Sequence, residues 1–208
     1  MSSYPARLLL VRHGETDWNQ ARIPQGHADI PLNNKGREQA RALAQRLRGW
    51  DIDCIYSSDL ARASETAAIL GNAVGLGPRL VSAWREVDLG GSSGLTHAEI
   101  EDRYPNELAA LAQGRDIPRG GGETLAALQA RAVQEFESLR VSHAAQTVLI
   151  VSHGGTLKTL ICHLIGLGLR HHNRLSTGGN TGLSIVQFDS GSPRLTLLND
   201  VSHLRDCQ

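Results

Sequence analysis

Two apolar runs, "RLLLV" at 7–11 and "TVLIV" at 147–151, proceed without a polar position between them. Runs of that length without alternation predict strands covered on both faces, as in a parallel sheet. "CIYS" at 54–57 predicts another short strand. "LSIVQF" at 183–188 alternates in part and is followed, after the turn "DSGSP", by "RLTLLND". That pair predicts an antiparallel edge.

Between the strands the apolar positions fall at helical spacing. Asn34 is placed to cap a helix whose inner face is Ala40, Leu43, Ala44 and Leu47 and which ends at Gly49. Asp59 is placed to cap a second, with Ala63, Thr66, Ala67 and Leu70 inward. Residues 122–143 read as a long amphipathic helix burying Leu125, Leu128, Ala132, Phe136 and Leu139. Thr96 and Glu99 form a capping-box pattern for a short helix before Tyr104 and Pro105. Strands alternating with helices predict an α/β fold, a three-layer α/β/α sandwich with a mostly parallel central sheet and an antiparallel edge strand. The chain reads as a single domain over residues 1–208, with residues 85–123 inserted above the sheet.

Composition narrows the classes of partner. Lys plus Arg and Asp plus Glu are equal at 21 each, so no global charge calls for nucleic acid or a membrane surface. No stretch reaches the roughly 18 apolar residues of a membrane span, and the N-terminal apolar run is too short for a signal peptide, so a soluble cytoplasmic protein is expected. Cys54, Cys162 and Cys207 are odd in number and lack paired spacing, which predicts two buried thiols and one in the tail rather than a disulfide framework. His163, His171 and His172 near Cys162 lack the spacing of a zinc site and read as core and loop residues. The glycines of "GNAVGLGPRL" follow a helix and read as a turn into a strand, not a dinucleotide loop.

A local echo carries the chemistry. "LLLVRHGET" and "VLIVSHGGT" share an apolar strand, one polar residue, His, Gly and then Thr. Ligands of parallel sheets bind beyond the carboxyl ends of the strands, so His13 and His153 are expected at one crevice. Arg12 adjoins the first histidine, and Arg62 falls on the first turn of the helix after the second strand. Two guanidinium groups with two histidines suit a tetrahedral anion, because the planar fork matches phosphate oxygens in pairs.

The ordered set "LVRHGET-x-WN", "QGHADIPLNNKGREQA", "SSDLARASETA", "WREV", "GGGET", "IVSHGG" and "NTGLSIVQF…LNDVSHL" resembles the histidine phosphatase superfamily, also called the phosphoglycerate mutase-like family, over nearly the whole chain. It is most similar to the small bacterial phosphatases among them. The resemblance implies that His13 is the nucleophile and passes through a phosphohistidine. It implies that Arg12, Arg62 and His153 bind the phosphoryl oxygens, with Asn19 and the backbone at Gly154 adding hydrogen bonds. Glu86 would be the proton donor, and Gln25 with Gly26 a substrate-contacting turn. Three positions depart from the family pattern. Ser92 and Ser93 replace a frequent Trp-Glu pair, which predicts a smaller or more mobile wall, and Lys158 stands where Arg is common, keeping the charge without the fork.

Physical chemistry agrees with these roles. Fixed Arg and His donors stabilise phosphoryl charge without a metal, and no cofactor is expected. His13 must be neutral at its attacking nitrogen, with the other nitrogen donating to a backbone carbonyl. Glu86 must keep its proton near neutral pH, which burial beside a dianionic phosphate favours. The same pocket serves a phosphatase or a mutase. Mutases of the family carry longer insertions after the acid, paired arginines and a lysine-bearing tail; residues 87–152 are short by comparison and the chain ends "HLRDCQ". The expected activity is therefore metal-independent hydrolysis of a small phosphorylated metabolite, with a phosphoglycerate mutase and a non-catalytic phosphate-binding module as alternatives. Arg85, Arg103, Arg115 and Arg119 offer charge to the substrate, and the edge strand leaves open a homodimer.

Overall fold

The unbroken apolar runs become the middle of a six-stranded sheet. The computed structural model describes residues 4–190 and 192–205, so Cys207 lies outside the described residues. The strands are β1 (Arg7–Arg12), β2 (Cys54–Ser57), β3 (Pro78–Leu80), β4 (Thr147–Ser152), β5 (Leu183–Asp189) and β6 (Ser192–Asp200), in the order β3-β2-β4-β1-β5-β6. β3, β2, β4 and β1 are mutually parallel, while β5 is antiparallel to β1 and to β6. The short β3 at Pro78 is the strand into which the glycine-containing turn leads.

Among the described residues seven α-helices connect and cover these strands: α1 (Asp17–Gln20), α2 (Asn34–Leu47), α3 (Ala61–Val74), α4 (His97–Arg103), α5 (Pro105–Ala112), α6 (Leu125–Ser142) and α7 (Gly154–Leu164). Alternate side chains of the central strands feed two cores, since successive residues of a strand point to opposite faces. Leu9, Val11, Leu149 and Val151 pack with Leu43 and Leu47 of α2 and with Ala63, Ala67 and Leu70 of α3. Leu8, Leu10, Val148 and Ile150 pack on the other face with Ala132, Phe136 and Leu139 of α6 and with Leu157, Leu160 and Ile161 of α7. The result is three layers. Among the described residues no helix is long and apolar enough to cross a membrane.

Three local expectations are corrected. The side chain that caps α2 is Asn33, accepting from Gly36 N at 2.8 Å, not Asn34, which is the first helical residue. Asp59 does not cap α3. Its carboxylate is drawn to Arg85 at 2.6 Å, and the free Ala61 N–H is met instead by Asp29 Oδ1 at 2.6 Å, from a loop 32 positions earlier. Leu125 is half-buried rather than fully buried, because it sits at the first turn of α6 against the small cluster of Val87, Leu89 and Leu128. Helix α5 was not anticipated, although Pro105 opens it at a position where a missing N–H costs nothing.

One backbone approach fixes the loop after β1. A Cβ on Gly36 would run into the Glu15 carbonyl, and a Cβ on Gly14 would meet the Gly36 carbonyl at 2.5 Å. Two glycines thus let the start of α2 lie directly on the chain that leaves β1. Gly36→Ala is expected to lower stability by about 1–3 kcal/mol through overpacking, read as a lower urea midpoint at unchanged slope.

Candidate active site

Arg12 of β1 lies opposite Ser152 of β4, so the residues that leave the sheet next emerge side by side. His13 and His153 have ring centroids 5.1 Å apart at 59°, and both are buried. His13 Nδ1 lies 2.7 Å from the Gly14 carbonyl, which can only accept. Its proton therefore sits on Nδ1, and the Nε2 lone pair is free. The loop is held from behind, since the His13 carbonyl accepts from Thr181 N and Asn180 Nδ2, each at 3.2 Å.

Arg62 comes from the first turn of α3 and has no exposed surface. Its guanidinium donates to Ala28 O at 2.7 Å, Gly26 O at 2.8 Å and His153 Nδ1 at 3.3 Å. Burial pulls its pKa down to about 10, with the Glu86 carboxylate opposing, so it stays cationic at neutral pH. Because Nδ1 of His153 accepts, Nε2 carries the proton and donates to Ser58 Oγ at 2.9 Å. Both nitrogens of His153 are thus occupied, and a contact from this ring to a phosphoryl group requires Ser58 to share the Nε2 proton. Arg12 donates through one terminal nitrogen to Gly178 O, while its buried Nε has no partner and is lowered in pKa by burial.

Glu86 follows a tight turn at Ser82–Trp84 and lays its carboxyl group across the start of α7. Oε2 accepts from Gly155 N at 2.9 Å; Oε1 accepts from Val87 N at 2.9 Å and Thr156 N at 3.2 Å. Gly155 is required there, since a Cβ would collide with Oε1. Gly154 is the first residue of α7, directly after His153. Its neighbour Gly155 lines the cavity, and the N–H groups at 155 and 156 serve Glu86.

The side chains enclose a cavity of about 340 Å³ that also reaches Asn19, Gln25, Gly26, Arg119 and Lys158. Asn19 Oδ1 accepts from Thr16 N and Asn180 Nδ2, each at 3.2 Å, which leaves its NH₂ group for a ligand. Gln25 is buried with Oε1 unpartnered. Ser93, at one of the departures from the family pattern, donates to Gln25 O at 2.6 Å and ties this wall down by a hydrogen bond. Of the four arginines offered to the substrate, Arg119 lines the cavity; Arg85 is committed to Asp59, and Arg103 and Arg115 do not line it. Of the histidines near Cys162, His172 reaches the cavity rim and His163 is exposed at the end of α7. Among the described residues no cluster of His, Cys, Asp and Glu is arranged to hold a metal ion.

Arg131 on α6 escaped the sequence reading. It pairs with Glu123 at 2.8 Å and donates to the carbonyls of Ala83, Arg85 and Glu86 at 2.7–2.8 Å, which fixes the backbone that carries Glu86. The available signal was an Arg three positions after Leu128 on the inward face of an amphipathic helix. His27 donates through Nε2 to Glu86 O at 2.8 Å, since a carbonyl only accepts.

Residues 8–201 match the model of the histidine phosphatase superfamily (branch 1). The chain is 35% identical over 206 residues to phosphoglycerate mutase-like protein 4 of Arabidopsis thaliana, covering 97% of this chain and 88% of that one. It is 32% identical over 199 residues to phosphoserine phosphatase 1 of Hydrogenobacter thermophilus, covering 95% and 94%. A solved mycobacterial glucosyl-3-phosphoglycerate phosphatase in complex with VO3 superposes with a TM-score of 0.83 at 34% identity, over 93% of this chain and 99% of that one.

Burial, followed by the neighbouring Arg12 and Arg62, holds His13 well below the usual histidine pKa of 6.5. Burial, followed by Arg62, does the same for His153. Both are neutral when folded, so the unfolded chain takes up protons first as pH falls. Their contribution to stability is complete above about pH 7 and is lost below about 6.5, by up to roughly 1.4 kcal/mol per pH unit for each. Urea midpoints between pH 8 and 5 are expected to fall on the acid side, and less steeply in His153→Gln.

Proposed function

The chain belongs to the histidine phosphatase superfamily, and from its pocket we propose that it hydrolyses small phosphomonoesters in two steps through a phosphohistidine on His13. The observation that carries this reading is the bond from His13 Nδ1 to Gly14 O, which aims an unprotonated Nε2 into a cavity walled by two guanidinium groups. Nε2 attacks phosphorus, the bond to the leaving oxygen breaks, and Glu86 gives that oxygen its proton. Water then loses a proton to Glu86 as its oxygen attacks, the N–P bond breaks, and phosphate leaves with both residues restored.

Arg12, Arg62 and Asn19 supply donors to the equatorial oxygens, whose charge grows in the transition state. His153 holds Arg62 in place and reaches the phosphoryl group through the proton it now gives to Ser58. Gly154 takes part through the turn that carries His153 into α7. Thr156 donates its hydroxyl hydrogen to Arg85 O at 2.7 Å and lies 3.4 Å from Glu86 Oε1. Gln25 and Gly26 form the wall against the leaving group. Residues 85–123 act as a cover over the pocket, and Lys158 and Arg119 lie where a second anionic group of the substrate would sit.

Phosphoserine and the phosphoglycerates, in view of the names of its relatives, head the panel of substrates to screen. In excess chelator, His13→Ala is expected to abolish hydrolysis of p-nitrophenyl phosphate by at least about 10³-fold, with loss of the acid-labile phosphoprotein trapped by rapid quench. Full activity in that variant would overturn the nucleophile. Glu86→Gln is expected to cost about 10²–10⁴-fold on alkyl phosphates and far less on p-nitrophenyl phosphate, whose leaving group departs without a proton. Isomerisation of a bisphosphate-primed phosphoglycerate faster than its hydrolysis would favour a mutase instead.

A further inference from the structure

A second cavity of about 380 Å³ lies under α4 and α5, next to the catalytic one. Its walls are mostly apolar, with Ile100, Leu108 and Leu111 contributed by the two helices. Pro24, Leu89 and Arg119 line both cavities, so the two chambers share a partition made by those three side chains. Leu89 is buried and rests on Gly26, where a side chain in place of hydrogen would meet it at 3.1 Å. The partition is therefore built on the same turn that gives Arg62 its carbonyl partner.

Two features make this chamber a receptor rather than a packing defect. Several of its polar groups are unspent: among the described residues Arg119 has no acidic partner and neither the Tyr104 hydroxyl nor the Ser92 hydroxyl has a hydrogen-bond partner, whereas Glu107 and His97 are engaged with Gly120 N and Glu101. The chamber is also braced open. Tyr104 abuts Gly91, where any side chain would touch its hydroxyl at 2.5 Å, and Glu107 accepts from Gly120 N at 2.7 Å, so α5 is tethered to both ends of the loop beneath it. A pocket with an apolar body and a few convergent donors is the usual form of a small-molecule site, and each chamber lies near the lower end of the roughly 300–1,000 Å³ such sites occupy.

We propose that the second chamber is a subsite for the leaving group, so that the preferred substrate is the phosphomonoester of an alcohol with an extended apolar body and a hydrogen-bond acceptor for Arg119 or Tyr104. The inference rests on the phosphatase reading of the first chamber. The phosphoryl group binds between Arg12 and Arg62, the ester oxygen faces Glu86, and the alcohol's carbon skeleton passes Leu89 and Pro24 into the space under α5. Substrates with a short polar alcohol leave that space unused.

Steady-state kinetics on primary alkyl phosphates from ethyl to hexyl test it. The expected result is a rise in kcat/KM of about fourfold per methylene until the chamber is filled, carried mainly by KM. Ser92→Trp or the less buried Leu108→Trp is expected to lower the hexyl-to-ethyl ratio of kcat/KM by about tenfold or more; using the ratio removes any general damage to the fold. 1-Hexanol should inhibit competitively. A ratio that is flat in the unaltered enzyme or unmoved in both variants, or inhibition by hexanol that is not competitive, overturns the subsite while leaving the phosphatase intact. Absence of hydrolysis of every ester, p-nitrophenyl phosphate included, overturns the phosphatase reading and the subsite with it.

Discussion

Arg62 carries its charge to a position with no exposed surface, and a cation there is tolerated only if its donors are met. The carbonyls that meet them belong to Gly26 and Ala28, in the loop between α1 and α2, and the third partner is His153 at the end of β4. To offer its carbonyl, Gly26 adopts φ +50, a conformation that favours glycine, and the next turn of the same loop sends Asp29 to cap α3, the helix that bears Arg62. Loop, helix and strand end are thus mutually dependent. Removing the loop or the strand end leaves the buried guanidinium short of an acceptor.

Glu86 is held by a different means. Glu86 lies on irregular backbone, where no helix or sheet ladder fixes it, and the structure substitutes Arg131 for that ladder by tying the carbonyls of Ala83, Arg85 and Glu86 to α6. At the other end its carboxyl group takes the place of a cap on α7, where a glycine makes room for it. The consequence is that His13 depends on the sheet and α2, whereas Glu86 depends on α6 and α7. The two halves of the chemistry are referenced to opposite faces of the same sheet.

Local signals in the sequence told most of what is local in the structure. The unbroken runs at 7–11 and 147–151 are buried strands, and the repeated strand-His-Gly pattern does bring His13 beside His153. The errors arise where two candidates are equivalent nearby or where the partner is distant. Asn33 and Asn34 are the same residue type at adjacent positions, and only backbone geometry separates them. Asp59 stands one position before the N-cap residue Leu60 and is paired with Arg85, and the replacement from Asp29 has no sequence signature. The engagement of His153 by Ser58 and the clamp of Arg131 are likewise non-local. The family motifs contained Ser58 and Asn180 but said nothing of what they touch.

The pairing of β1 with β4 has a further meaning for how the chain is proofread. Each strand delivers one histidine at the position just past its last paired residue, and a strand advances by about 3.3 Å per residue while reversing the face its side chains occupy. A slip of one position between these two strands would separate the rings and send one of them into a hydrophobic layer. Such a chain could retain its helices and much of its compactness, yet it would have no cleft with both rings in it. Turnover by this fold thus reports strand register, and a preparation's specific activity measures the fraction of molecules in which the two central strands have found each other correctly.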